Sequence, residues 1–208
     1  MTSLLSLRSS ILGDAGVSNQ LVDATLAALR DQRPELGITE RNLGTAPIPH
    51  FGTDAVAAMG GDPRNPAQAD ALALSDQLIA ELKASDVLLI GAPLYNFGIA
   101  SSLKSWFDHV MRAGETFSYS EAGPKGLLTG KRSIIVTTRG GSYAEGAARE
   151  MDSVVPHLRT MLNFIGITDQ SFVVVDRLAF GPEAKAASVA AAQVALAGLL
   201  GLRLNEAA

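Results

Sequence analysis

Val87-Leu88-Leu89-Ile90-Gly91-Ala92-Pro93-Leu94-Tyr95-Asn96-Phe97-Gly98 passes directly from an unbroken apolar run into a loop of proline, amide, aromatic and glycine residues. An apolar run without polar alternation reads as a strand buried on both faces, the mark of a parallel sheet. A helix from about Ser101 to Arg112 follows, so the unit is strand, loop, helix. Open α/β sheets bind ligands beyond the carboxyl ends of their strands. This loop pairs aromatic rings and an amide with several backbone N–H groups. The residue before Pro93 and Gly98 both restrict it to turn-like paths. Such a mixture suits a large flat heterocycle better than a metal or a bare phosphate. The plain alternative is a tight turn with Tyr95 and Phe97 tucked into the core.

Outward from this unit, short apolar runs alternate with helix-period segments. Strands are expected at Ser3–Leu7, Leu36–Arg41, Asp86–Gly91, Ser133–Thr138 and Ser171–Val175. Helices are expected at Asn19–Gln32 and Pro66–Ala84, where Leu72, Leu78, Ile79 and Leu82 fall near one face. A long helix is expected between the fourth and fifth strands, and an Ala-rich helix closes the chain. The alternation predicts an α/β fold: a flavodoxin-like, doubly wound, five-stranded parallel sheet of order 2-1-3-4-5 with helices on both faces. Its ligand site would lie where strands one and three part. Gly44–Pro66 reads as a long loop with one helical turn, and long loops in compact domains are often functional. Thr116–Ser120 alternates polar and aromatic residues before the turn Glu121–Pro124, which predicts a hairpin excursion. With no internal repeat and no linker, residues 1–208 are read as one domain.

Composition removes several classes of function. Seventeen basic and twenty-one acidic residues give a net charge of −4, with no basic stripe for nucleic acid. The chain has no cysteine, so a disulfide, a thiolate nucleophile and a cysteine-ligated metal are excluded, and a cytoplasmic location fits. His50, His109 and His157 are too widely spaced to suggest a metal site. The N-terminus lacks the pattern of a signal peptide. Ala186–Leu202 is uncharged, but its many alanines, Ser188 and Gln193 read as a helix packed on a sheet and not as a membrane span.

Two further loops match the first in polarity. After the first strand, Ser9, Ser10, Gly13, Gly16 and Ser18 offer neutral donors that suit an anion, with Ser18 as the expected N-cap and Asp14 facing solvent; taken alone, the loop reads equally as an ordinary Ser- and Gly-rich helix cap. Neither a Walker loop nor Gly-x-Gly-x-x-Gly is present. After the fourth strand comes Thr137-Thr138-Arg139-Gly140-Gly141-Ser142-Tyr143. Its paired glycines permit close backbone approach, and their N–H groups can meet a carbonyl edge that gains negative charge on reduction. A simple Gly-Gly turn is the alternative. Lys104 and Asp108, four apart, read as a structural ion pair.

Pro93-Leu94-Tyr95-Asn96-Phe97, Leu103-Lys104, Arg112–Tyr119, Gly123–Leu127, Thr138–Gly141, Asn163–Ile167 and Ala179–Pro182 together resemble the FMN-dependent NADH:quinone oxidoreductases and azoreductases. The resemblance spans nearly the whole chain, and the block from Arg112 to Gly126 is its most specific part. It implies that Ser10, Gly16, Val17 and Ser18 hold the FMN phosphate. Leu94, Tyr95, Asn96 and Phe97 would flank the isoalloxazine, with Thr138, Arg139, Gly140 and Gly141 at its other edge. Many relatives carry Ser where this chain has Gly16, which implies a modest loss of FMN affinity. Tyr143 either hydrogen-bonds near the pyrimidine edge or packs.

The resemblance further implies hydride transfer from NADH or NADPH to flavin N5, then two-electron reduction of a quinone, azo or nitroaromatic acceptor in a ping-pong scheme. No side chain need serve as nucleophile or acid. It implies a homodimer with active sites at the interface, for which the helix of Trp106 and Phe107 and the excursion of Phe117 and Tyr119 are the candidate surfaces. Tyr119, Phe164 and Phe51 are candidate acceptor-pocket aromatics, Phe164 being equally readable as core. The Gly44–Pro66 loop would cover that pocket. Two other classes remain open: a flavodoxin-type FMN electron carrier, although carriers are usually more acidic, and a flavin-free regulatory protein on the same fold.

Overall fold

Each apolar run forms a strand. In the computed structural model, which describes residues 1–143 and 146–203, the first half contains β1 (Ser3–Arg8), α1 (Val17–Gln32), β2 (Gly37–Asn42), α2 (Thr53–Ala58), α3 (Pro66–Ala84), β3 (Val87–Gly91) and α4 (Ser101–Val110). The second half contains β4 (Phe117–Ser120), β5 (Gly123–Gly126), β6 (Arg132–Thr138), α5 (Val154–Phe164), β7 (Asp169–Val175) and α6 (Pro182–Leu200). The main sheet is parallel throughout, in the order β2-β1-β3-β6-β7. With the β4–β5 hairpin left out of the count, this is the expected 2-1-3-4-5 order.

Period-two alternation sorts the strand residues into two layers. Leu4, Leu89, Ile134 and Val136 face α1 and α6. Leu5, Leu7, Leu88, Ile90 and Ile135 face α3, α4 and α5. All five residues of β3 are buried, as its unbroken apolar run requires. Trp106 and Phe107 are both fully buried in the second layer and pack edge to face at 5.0 Å. Both side chains belong to the core. The apolar stripe of α4 turns inward because only that face meets the sheet. The α6 helix is long and apolar enough, by length and composition alone, to cross a membrane. It nonetheless packs on β7 and α1 through Ala192, Leu196 and Leu200.

Several local boundaries differ from expectation. The α1 helix starts at Val17 with Gly16 at its N-cap, so Ser18 sits inside the first turn and caps nothing. Glu121–Pro124 is not all turn, since Gly123 and Pro124 already pair within β5. The expected long helix after β6 is a 3-10 segment (Gly146–Met151) followed by the eleven-residue α5. The break falls where Asp152 Oδ1 accepts the Val154 N–H at 3.0 Å, just ahead of the N-cap Ser153. The Gly44–Pro66 loop contains α2, and Asn65 caps α3 by accepting the Gln68 N–H at 2.9 Å. The hairpin docks on the end of α5 through Gly126 and Gly166, where a Cβ on Gly126 would collide with the backbone of Gly166.

At the amino end of the sheet, the Asp86 carboxylate accepts from Thr2 N–H at 2.6 Å, Thr2 Oγ1 at 2.9 Å and Ser3 N–H at 3.1 Å. These donors, the Thr2 backbone foremost, hold its pKa at about 2 against an ordinary 3.8. The stability this contributes is present above the unfolded value and is lost as pH falls from 3.8 towards 2. Asp86→Asn is therefore expected to lower Tm at neutral pH. The gap from wild type should close when melting is followed down through that acid range, and a gap constant with pH would contradict the assignment.

Candidate functional site

The loop after β1 is tied to β3 at its first residue. Ser9 donates both N–H and Oγ to the Gly91 carbonyl, at 3.1 and 2.7 Å. Ser10 Oγ shares a hydrogen bond with the Tyr95 hydroxyl at 3.0 Å, and Ile11 N–H donates to that same hydroxyl at 3.2 Å. Asn19 Nδ2 holds the loop from behind by donating to Gly13 O at 2.9 Å, while Asp14 faces solvent as expected. The first intrahelical bond of α1 is Gln20 N–H to Gly16 O, which leaves the N–H groups of Val17, Ser18 and Asn19 without helical acceptors. Gly16 brings no side-chain cap to satisfy them. Ser18 Oγ and Asn19 Oδ1 are buried with no partner among the described residues. Buried polar atoms are rarely left so, and the Ser18 hydroxyl beside three open N–H groups adds a donor at this helix start.

Gly16 also makes room. A Cβ there would collide with Ser10 Oγ and lie 2.7 Å from Ser10 Cβ. The Ser10 side chain thus occupies the space that a side chain at position 16 would fill.

The loop after β3 continues the sheet ladder by one bond, Leu94 N–H to Thr138 O at 2.9 Å. It then closes a two-residue turn, with Tyr95 N–H to Gly98 O at 2.9 Å and Gly98 N–H to Tyr95 O at 3.0 Å. Both turn residues are left-handed, Asn96 at φ 47° and Phe97 at φ 71°. Asn tolerates that region, but a bulky Phe does not, and such residues carry roughly 1–3 kcal/mol of strain. Neighbouring structure enforces the turn, since Ser153 N–H donates to Phe97 O at 2.9 Å. Asn96 and Phe97 themselves are exposed.

The loop after β6 is pinned from the β7 side. Arg139 N–H donates to Val175 O, Ala179 N–H to Gly140 O and Arg177 N–H to Gly141 O, at 2.8, 3.0 and 3.0 Å. The Arg139 guanidinium is buried and bound to Asp152 at 2.6 Å. Its contribution is therefore to hold the loop in place. The N–H groups of Gly140 and Gly141 find no acceptor among the described residues. The Tyr143 ring lies over Gly141, within 3.2 Å of where a Cβ would stand. Tyr143 packs there, and no hydrogen bond of its hydroxyl is seen among the described residues.

Ser10, Gly16–Ser18, Leu94–Phe97, Thr138–Gly141 and Tyr143 therefore gather at one end of the sheet. Phe51 lies close by. It packs on His109 at 5.2 Å and lines a cavity of about 460 Å³ together with Gly98 and Ile99. Tyr119 and Phe164 do not join them. They meet Phe117, at 5.4 and 4.7 Å between centroids, at the far end of α5. The eleven residues of that helix put them roughly 16 Å from its start beside Phe97. Sequence reading missed Asp152, Ser153 and Asn19, each of which acts through a contact between distant segments. Only the Asn beside Ser18 at a helix start was a visible cue. Chemically, the site combines neutral donors able to hold an anion, a strained turn, and two N–H groups without an acceptor among the described residues. Among the described residues no group of side chains could hold a metal.

A family model described as a flavodoxin-like fold matches residues 2–200. An FMN-dependent NADH:quinone oxidoreductase of Hyphomonas neptunium is 47% identical over 193 residues, covering 93% of each chain. Its counterpart from Escherichia coli strain K12 is 47% identical over 198 residues, covering 94% of this chain and 97% of its own. Among solved structures, an azoreductase from Bacillus anthracis superposes with a TM-score of 0.87 at 28% identity, covering 96% of this chain and 98% of its own. An FMN-dependent NADH-azoreductase of the same species, solved with FMN, matches in fold with a TM-score of 0.86 at 24% identity, covering 96% and 99%.

The turn predicts an inversion of the usual mutational sign. Phe97→Gly relieves left-handed strain while removing a side chain that is 44% exposed. Calorimetry of the ligand-free protein should find it unchanged or stabilised by up to about 1 kcal/mol, net of the entropy glycine adds to the unfolded chain. A loss of several degrees in Tm would show that the ring packs more than it strains.

Proposed function

The chain belongs to the flavodoxin-like family of the FMN-dependent NADH:quinone oxidoreductases, and on that footing we propose how its residues divide the work. The protein is an FMN-dependent oxidoreductase that uses NAD(P)H to reduce quinones and aromatic azo compounds. Bound FMN supplies reversible two-electron chemistry. The chain supplies the rest.

The observation that carries the residue assignment is the set of unsatisfied donors at the start of α1. The N–H groups of Val17, Ser18 and Asn19, with the buried Ser18 hydroxyl, form a cradle that lacks an acceptor. A phosphate dianion fits it, since neutral donors at a helix start bind anions without a cationic side chain. Ser10 completes the cradle by turning its hydroxyl from Tyr95. Leu94–Phe97 flank the ring, with the Asn96–Phe97 turn presenting backbone towards it. The N–H groups of Gly140 and Gly141 meet the ring edge where negative charge grows on reduction, and Arg139 keeps them in place through Asp152. Tyr143 packs over them. No side chain acts as nucleophile or acid.

Donor and acceptor take turns over one open face in this reading, which makes the kinetics ping-pong. Tyr119 is 71% exposed and, with Phe164, stands at the wrong end of its own subunit to reach the Phe97 turn. We therefore assign both to the acceptor pocket of a second copy, in a homodimer whose sites lie at the interface. Phe51 lines the pocket from its own subunit. A cytoplasmic location suits the cysteine-free chain.

Anaerobic mixing of the purified protein with FMN and NADH should bleach the flavin's visible band, and menadione should restore it. Flavin that binds but stays oxidised would make the protein an electron carrier, and no flavin binding at all would make it a flavin-free protein on this fold.

Ser18→Ala separates the cradle from the fold. Without flavin it removes an unpaired buried hydroxyl, so stability should hold or rise by up to about 1 kcal/mol. FMN affinity, read by fluorescence titration, should fall about tenfold for the loss of one charge-assisted hydrogen bond. Unchanged affinity would take the phosphate away from Ser18.

A further inference from the structure

The cavity of about 460 Å³ beside the Phe97 turn has a lining that reduction of a plain quinone does not require. Gly98 and Ile99 form one wall as the direct continuation of Leu94–Phe97, and Phe51 forms another. Around them stand His50, Lys104, Asp108 and His157, drawn from three separate elements. His157 is one helical turn from the flavin-flanking loop. Its N–H donates to Ser153 O at 3.2 Å, and Ser153 N–H donates to Phe97 O at 2.9 Å. His50 is set by its neighbours: Pro49 O lies 3.1 Å from His109 Nε2, Phe51 packs on the same ring, and His50 Nδ1 lies 3.5 Å from Ser105 Oγ.

Groups able to donate cluster here, and only one group is anionic. One ammonium, two imidazoles and the hydroxyls of Ser101 and Ser105 face a single carboxylate, Asp108. That carboxylate is already engaged by Lys104 across one turn of α4. An ammonium carries three donors, so Lys104 can serve Asp108 and a second oxyanion together. Burial, with the Lys104 charge, lowers the pKa of His157, and Asp108 opposes the shift. The ring is therefore neutral at pH 7 and gains charge on acidification.

We propose that this cavity binds the anionic group of a molecule stacked at the flavin. That group would be the sulfonate or carboxylate of an aromatic acceptor, or a phosphate of the nicotinamide donor. The assignment rests on the flavin reading above, and the experiment separates the two. With FMN-loaded protein and NADH, kcat/KM is measured for menadione and for a naphthoquinone sulfonate, in wild type, His50→Gln and His157→Gln. If the anion belongs to the acceptor, the sulfonate-to-menadione ratio falls about tenfold in the variants. In wild type the same ratio rises as pH falls well below 7, as His157 gains charge beside Lys104 and Asp108. If it belongs to the donor, KM for NADH rises several-fold in the variants and the quinone ratio holds. A ratio and an NADH KM unmoved in both variants, with a wild-type ratio flat in pH, overturn the proposal. Wild type that reduces neither quinone overturns the flavin reading instead.

Discussion

β1 and β3 lie side by side, yet the helices that follow them leave towards opposite layers: α1 joins Leu4 and Leu89, and α4 joins Leu5 and Leu88. The two connections must part as they leave the sheet, and the crevice between them is where an open parallel sheet accepts a ligand. Two bonds from Ser9 to the Gly91 carbonyl keep the strand ends level at the point of parting. The Tyr95 hydroxyl then reaches across the crevice to Ser10 and Ile11. Everything assigned to the flavin stands on one or other side of this gap.

A second consequence concerns where unfavourable energy is kept. Asn96 and Phe97 hold a left-handed turn that a free peptide would avoid, and bonds from Ser153, Gly98 and Thr138 enforce it. Ser18 and Asn19 keep buried polar atoms unpaired, and Gly140 and Gly141 keep free N–H groups. Each is a small cost in the ligand-free chain, and all lie at the carboxyl end of one sheet. A cofactor with an anionic tail and a polar ring edge, as proposed, would relieve the unpaired donors together.

Strand order was legible because it depends on local patterning. The run Val87–Gly91 can only be a doubly buried strand, and the helices between strands leave little choice of topology. The three site loops were legible for the same reason, each following a recognisable strand within a few residues. Ser18 was misread as a cap because Ser at a helix start usually caps, whereas here Gly16 holds the N-cap position without a side chain and Ser18 lies inside the first turn. Where the side chains of Trp106 and Phe107 go was not legible, because spacing shows that a helix has an apolar face but not what covers it; they fill the core. The Arg139–Asp152 pair and the bond from Ser153 to Phe97 could not be read at all. They join segments whose approach depends on α5 docking beside the sheet, and no local pattern announces that.

The structure of the FMN-loaded protein tests the central claim most directly, because it reports which donors the phosphate uses. The account places the phosphate on the N–H groups of Val17, Ser18 and Asn19 with Ser18 Oγ as a further donor, Ser10 turned away from Tyr95, and the ring between Leu94–Phe97 and Gly140–Gly141. A phosphate held elsewhere, with Ser18 Oγ still unpaired and Ser10 still bonded to Tyr95, would contradict it.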